Sequence, residues 1–111
     1  MVMRQTKGES MLVEFSIVPL GSGSSVSSRV AEVLRLVDAS GLAYKVTPMG
    51  TVLEGTWDEV FRLIKRCHNM TLQQEERVLT TIRIDDRKGA KNRIDAKVRS
   101  VEKKLGKALK K

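Results

Sequence analysis

The run Tyr44-Lys45-Val46-Thr47-Pro48-Met49-Gly50-Thr51-Val52-Leu53-Glu54-Gly55 constrains the fold more than any other stretch, because one strand ends at Pro48 and another starts at Thr51 with only Met49-Gly50 between them. Strands this close in sequence pair antiparallel as a hairpin. Proline lacks an amide donor and glycine tolerates positive φ, so Pro48 and Gly50 are expected to bend the hairpin and interrupt its ladder. Such a bend offers backbone polar groups to a ligand; an ordinary turn is the alternative use of the same residues.

The flanking segments say what the hairpin belongs to. From Met11 to Leu20, Val13, Phe15 and Ile17 alternate with Glu14 and Ser16, the pattern of a strand with one apolar face. The Gly21-Ser22-Gly23-Ser24-Ser25 loop supplies hydroxyl caps, and Val26, Val30, Val33, Leu34 and Val37 recur at helical spacing until Ser40-Gly41 ends the helix. After the hairpin, Thr56 with Glu59 three positions on forms a capping box. Trp57, Val60, Phe61, Ile64 and Cys67 then give the buried stripe of a second helix, expected to end near Asn69. Arg77 to Asp86 is a strand with Thr80, Ile82 and Ile84 on one face and Thr81, Arg83 and Asp85 on the other. From Lys91 onward Ile94, Val98, Val101, Leu105 and Ala108 draw an apolar seam through a lysine-rich helix, about residues 91–109.

The order is therefore βαββαβ plus a third helix. Two helices after alternate strands around a central hairpin predict a ferredoxin-like α+β sandwich, with both helices on one face of a four-stranded antiparallel sheet. The other face then carries Glu14, Ser16, Thr81, Arg83 and Asp85 with Lys45 and Thr47. It either lines a site where two sheets meet or faces water, with the terminal helix over part of it. Residues 11–111 form one domain and 1–10 a frayed extension. A domain this small has modest stability alone, which favours oligomerisation. A single cysteine, Cys67, excludes an internal disulfide; with no secretory or transmembrane stretch, the expectation is a cytoplasmic protein.

The net charge of +8 resembles a nucleic-acid signature until it is divided along the chain. Residues 87–111 hold 11 Lys/Arg against Asp95 and Glu102, and residues 1–86 hold 10 against 11 acids, so the excess sits wholly in the C-terminal segment. The four aromatic residues, Phe15, Tyr44, Trp57 and Phe61, make no RNA-stacking motif. Two uses of the basic helix remain: a solvated surface, or an RNA- or ribosome-associated binding module.

Enzyme chemistry finds little support. Cys67 and His68 are adjacent on a helix and diverge by about 100° around its axis, so proximity in sequence does not make them nucleophile and base. One histidine with scattered acids gives no metal-ligand spacing, and the Gly-Ser loop has neither a Walker lysine nor a dinucleotide fingerprint.

Four blocks, in order and at suitable spacing, resemble a known family: Glu14-Phe15-Ser16-Ile17-Val18-Pro19-Leu20-Gly21, Ser25-Val26-Ser27, the Tyr44 to Gly55 run, and Arg77-Val78-Leu79-Thr80-Thr81-Ile82-Arg83-Ile84-Asp85-Asp86-Arg87. They are similar to the small thiamine-binding protein family, the YkoF-like proteins, from about Val13 onward. The resemblance implies a ferredoxin-like subunit that assembles through its sheet into dimers and tetramers. It implies binding of thiamine or its hydroxymethylpyrimidine part without chemical change, for storage, buffering or sensing, and no required cofactor. The strongly basic C-terminal end has no counterpart role in that pattern.

Thiamine presents a cationic thiazolium, an aminopyrimidine edge with donors and acceptors, and a hydroxyl, and a site for it needs an anionic or soft wall, directed polar groups and an apolar clamp. Glu14 or Asp85 can balance the cation, Met49 offers a polarizable contact, Ser16, Ser27 and Thr51 suit the pyrimidine edge, and the backbone from Pro48 to Gly50 can complete it. Each has an ordinary alternative: Glu14 pairing with Arg83 across adjacent strands, Ser27 capping the first helix, Asp85-Asp86-Arg87 as a solvated strand end, Met49 in interface packing, and Tyr44 and Trp57 in the core.

Overall fold

The structure, a computed structural model, describes residues 10–21, 26–89 and 92–110. The expected extension falls almost wholly outside them, as does most of the Gly-Ser loop. The elements run β1 (Met11–Pro19), α1 (Val26–Ala39), β2 (Ala43–Thr47), β3 (Gly50–Gly55), α2 (Trp57–Gln74), β4 (Val78–Asp85) and α3 (Arg93–Leu105). The strands form one antiparallel sheet in the order β2-β3-β1-β4, the ferredoxin-like arrangement.

Register divides the sheet into two faces. Val13 stands between Leu53 and Ile84, and Phe15 between Thr51 and Ile82, on the face that α1 and α2 cover. Met11, Val13, Val37, Leu53, Val60 and Cys67 are fully buried there, each larger apolar side chain contributing about 1.5–3 kcal/mol relative to exposure. The period of two then sends Leu12, Glu14 and Ser16, with their partners Asp85, Arg83 and Thr81, to the opposite face.

The helix-two expectations hold at its start and fail at its end. Thr56 and Glu59 make the reciprocal capping box, with the Glu59 amide 3.3 Å from Thr56 Oγ1 and the Thr56 amide 3.0 Å from Glu59 Oε1. The helix passes Asn69 and stops at Gln74, because the buried stripe continues through Thr71, whose hydroxyl donates to the Cys67 carbonyl at 2.9 Å inside the core. Trp57 is not a core residue: it is 46% exposed and packs its ring on Phe61 with centroids 4.6 Å apart. Tyr44 does lie against the core, and its hydroxyl reaches Asp38 at 2.7 Å.

The hairpin also differs from expectation. Its turn is Pro48-Met49, and the β2–β3 ladder is unbroken down to Thr47 opposite Gly50. Thr47 locks this end, its hydroxyl donating to the Gly50 carbonyl and accepting from the Met49 and Gly50 amides. Gly50 has no positive φ. Its requirement is steric, since a Cβ there would lie 2.9 Å from the Phe15 carbonyl oxygen.

Helix α3 crosses the end of the second face, touching β3 and β2. Glu54, only 7% exposed, accepts the first amides of α3 and the Ser10 hydroxyl, so Ser10 is tied to the sheet rather than frayed. Lys45 pairs with Asp95, and Gly106 closes the helix in the left-handed conformation. Of the expected seam, Ile94 and Val98 are half-buried, whereas Val101 and Leu105 stay exposed, so the helix covers sheet mainly with its first half.

Candidate functional site

Strand β1 outruns its neighbour. Its pairing with β3 stops at Phe15 opposite Thr51, and Ser16 through Pro19 pair with β4 alone. Because a strand directs its backbone groups alternately to either side, this overhang presents hydrogen-bonding groups where no strand meets them. A cleft of about 200 Å³ lies there, between the overhang, the Thr47 to Thr51 tip of the hairpin and the first turns of α1. Its apolar wall comes from Ile17, Val26, Val30, Val33 and Val46. Thr51, 7% exposed, stands at its base, and Met49, 84% exposed, at its rim.

The cleft brings together Ser16, Met49, Gly50 and Thr51 of the expected site residues. Among the described residues the Thr51 hydroxyl has no hydrogen-bond partner, and neither has that of Ser16. The two alternate in facing, Thr51 toward the helices and Ser16 on the opposite side of β1. Ser27 lies in the exposed first turn of α1, next to Val26 but outside the lining.

Glu14 and Asp85 lie elsewhere. They line a second cavity, about 400 Å³, on the opposite sheet face with Leu12, Val52, Arg83 and Lys97. Both are already matched to cations. Arg83 donates Nε and Nη2 to Glu14 Oε1 at 3.0 and 2.6 Å, the cross-strand pair anticipated as the ordinary role of Glu14. Asp85 Oδ2 accepts from Arg93 Nη2 and Lys97 Nζ, each at 2.7 Å, and these two bonds, the Arg93 one foremost, hold its carboxyl down at about 2. An anionic wall for a thiazolium is therefore not part of the hairpin cleft.

Cys67 and His68 turn apart. The thiol lies in the core, where burial pushes it up to about 11, and the imidazole Nδ1 is 2.7 Å from Thr80 Oγ1. Among the described residues no cluster of His, Cys, Asp or Glu could hold a metal ion, and no helix is long and apolar enough to cross a membrane.

What sequence reasoning missed is the α1 side of the cleft. Val26 and Val30 look like core positions of an amphipathic helix, yet they are 49% and 40% exposed. The signal was the unequal length of the strands: the apolar alternation of β1 continues to Pro19, whereas the hairpin partner begins only at Gly50.

Comparison with known proteins places this geometry among relatives. The family described as "Thiamine-binding protein" matches residues 13–102. The UPF0045 protein MJ1052 of Methanocaldococcus jannaschii is 36% identical over 91 residues, covering 82% of this chain and 91% of that protein. Its crystal structure superposes with a TM-score of 0.77 at 35% identity, over 84% of this chain and 96% of the other. A UPF0045 protein of Mycobacterium bovis is 39% identical over 97 residues, covering 86% of this chain and 95% of the relative. The structure of a DUF77 domain from Bacillus cereus gives a TM-score of 0.73 at 33% identity, over 81% of this chain and 88% of its own.

Proposed function

We propose that this chain, which belongs to the thiamine-binding protein family, binds the aminopyrimidine half of thiamine in the cleft beside the hairpin, as free hydroxymethylpyrimidine or within thiamine, and leaves it chemically unchanged. The observation that carries the reading is the β1 overhang, which sets backbone groups and the unpartnered Thr51 hydroxyl against an apolar wall. An aminopyrimidine needs that combination, with donors and acceptors along one edge and apolar surface against its ring faces.

Size and charge narrow the ligand. Pockets for drug-sized molecules run to roughly 300–1,000 Å³, and about 200 Å³ suits one ring rather than both. With Glu14 and Asp85 paired on the other face, the thiazolium has no carboxylate waiting in the cleft. It sits at the rim, against the Met49 thioether and water. A second copy of the chain, docked on the exposed sheet face as a dimer or within a dimer of dimers, would complete the surroundings. The role is storage, buffering or sensing in the cytoplasm, with no cofactor.

Isothermal titration with hydroxymethylpyrimidine, thiamine and hydroxyethylthiazole separates the halves. The expected result is binding of the first two with similar affinity and none of the third. Absence of heat with both pyrimidine ligands would overturn the proposal, and so would equal binding of the thiazole.

A further inference from the structure

A further depression is separate from the hairpin cleft and shares only Lys97 with the cavity on the sheet face. It lies between the segment after β4 and one side of α3, is open to solvent with a volume of about 630 Å³, and is lined by Arg87, Lys88, Gly89, Arg93, Lys97 and Ser100 together with Ala96. We propose that it is a binding site for a compact phosphorylated small molecule of the diphosphate class, independent of the vitamin cleft.

Three observations carry this. Four cations line the depression and none of its described lining residues is an acid. Arg87 and Lys88 are exposed and have no ion-pair partner among the described residues. Arg93 and Lys97 are held in place from behind, both bonded to the same oxygen of Asp85 at 2.7 Å. One carboxylate thus orients two cations and leaves the group carrying excess positive charge, a pre-set cradle for an anion with several acceptor oxygens.

The recognition comes from side chains. The first amides of α3 are taken by Glu54, so the helix N-terminus is not the anion site. Arg93, Lys97 and Ser100 recur one above the other on the helix, spanning about 10 Å at 1.5 Å per residue. A diphosphate is shorter than that span, so the flexible side chains converge on it from both ends. A polynucleotide track would instead draw equally on the lysines farther along the helix.

The test is titration of the full chain with inorganic pyrophosphate at fixed ionic strength, for the parent and two double variants. In one, Arg87→Gln and Lys88→Gln remove the unpaired cations; in the other, Lys103→Gln and Lys104→Gln remove the same charge from the next turns of α3. All four residues are exposed, so circular dichroism is expected to show intact folds. The first double variant should lose about tenfold or more in pyrophosphate affinity, and the second less than about twofold. Equal losses in both, or no binding by the parent, would overturn the proposal. In a parallel arm, an RNA oligonucleotide that binds more tightly than pyrophosphate and depends equally on both pairs would overturn it in favour of a nucleic-acid surface.

Discussion

The Glu54 carboxylate on β3 accepts the backbone amide of Arg93 at 2.7 Å and so fixes where the terminal helix begins. Its second oxygen takes the Ile94 amide at 3.1 Å. A side chain from the sheet performs the task that a local N-cap residue usually performs. Asn92, at the cap position in the left-handed conformation, makes no side-chain bond there. Glu54→Ala should therefore cost about 1–3 kcal/mol, as buried amides lose a charged acceptor. Denaturant unfolding measures the loss, and Glu54→Gln should recover part of it.

Gly50→Ala should also destabilise, by about 1–3 kcal/mol as for other overpacked positions, because the added methyl meets the Phe15 carbonyl oxygen at 2.9 Å. That oxygen belongs to backbone and cannot swing aside as a flexible side chain would. A lower thermal midpoint is expected, with weaker hydroxymethylpyrimidine binding as the hairpin tip shifts over the cleft.

These two positions show what the sequence could and could not disclose. The alternation of Val13, Phe15 and Ile17 and the Thr56 and Glu59 box are local patterns, and each produced the element it signals. The ferredoxin-like arrangement followed from the order of the elements. Gly50 was legible as special, but for the wrong reason, since its constraint comes from a strand far away in sequence. The Glu14 and Asp85 carboxylates were placed correctly on one face, yet no local pattern ties Asp85 to Arg93 and Lys97. The cleft depends on how far β1 outruns β3, and strand ends are what periodicity resolves least well.

Acid should detach the Asp85 cluster in a defined window. The folded carboxyl lies at about 2 against an ordinary 3.8, so its contribution is complete above about 3.8 and disappears as pH falls through about 2. Amide signals of α3 followed by NMR from pH 5 to about pH 1.5 should show this transition. In Asp85→Asn the step through about pH 2 should be lost, because its titrating group is gone, while Glu54 and Asp95 remain as acid-sensitive contacts of the helix.

Thr51→Val keeps volume and branching while deleting the hydroxyl at the base of the cleft. Affinity for hydroxymethylpyrimidine should fall about 3- to 10-fold, the equivalent of one neutral hydrogen bond, with thermal stability nearly unchanged. Calorimetry on the same preparation reads both quantities. Unchanged affinity would move the pyrimidine away from Thr51.

Anchoring α3 at one end has a mechanical corollary. Glu54, Asp85 and Lys45 all grip its opening turns, while Val101 and Leu105 project beyond them. The helix is thus a cantilever clamped at its root. Its outer turns can fray and re-form without disturbing Val13 or Leu53, and deuterium should enter the amides of residues 99–105 well before it reaches the central strands.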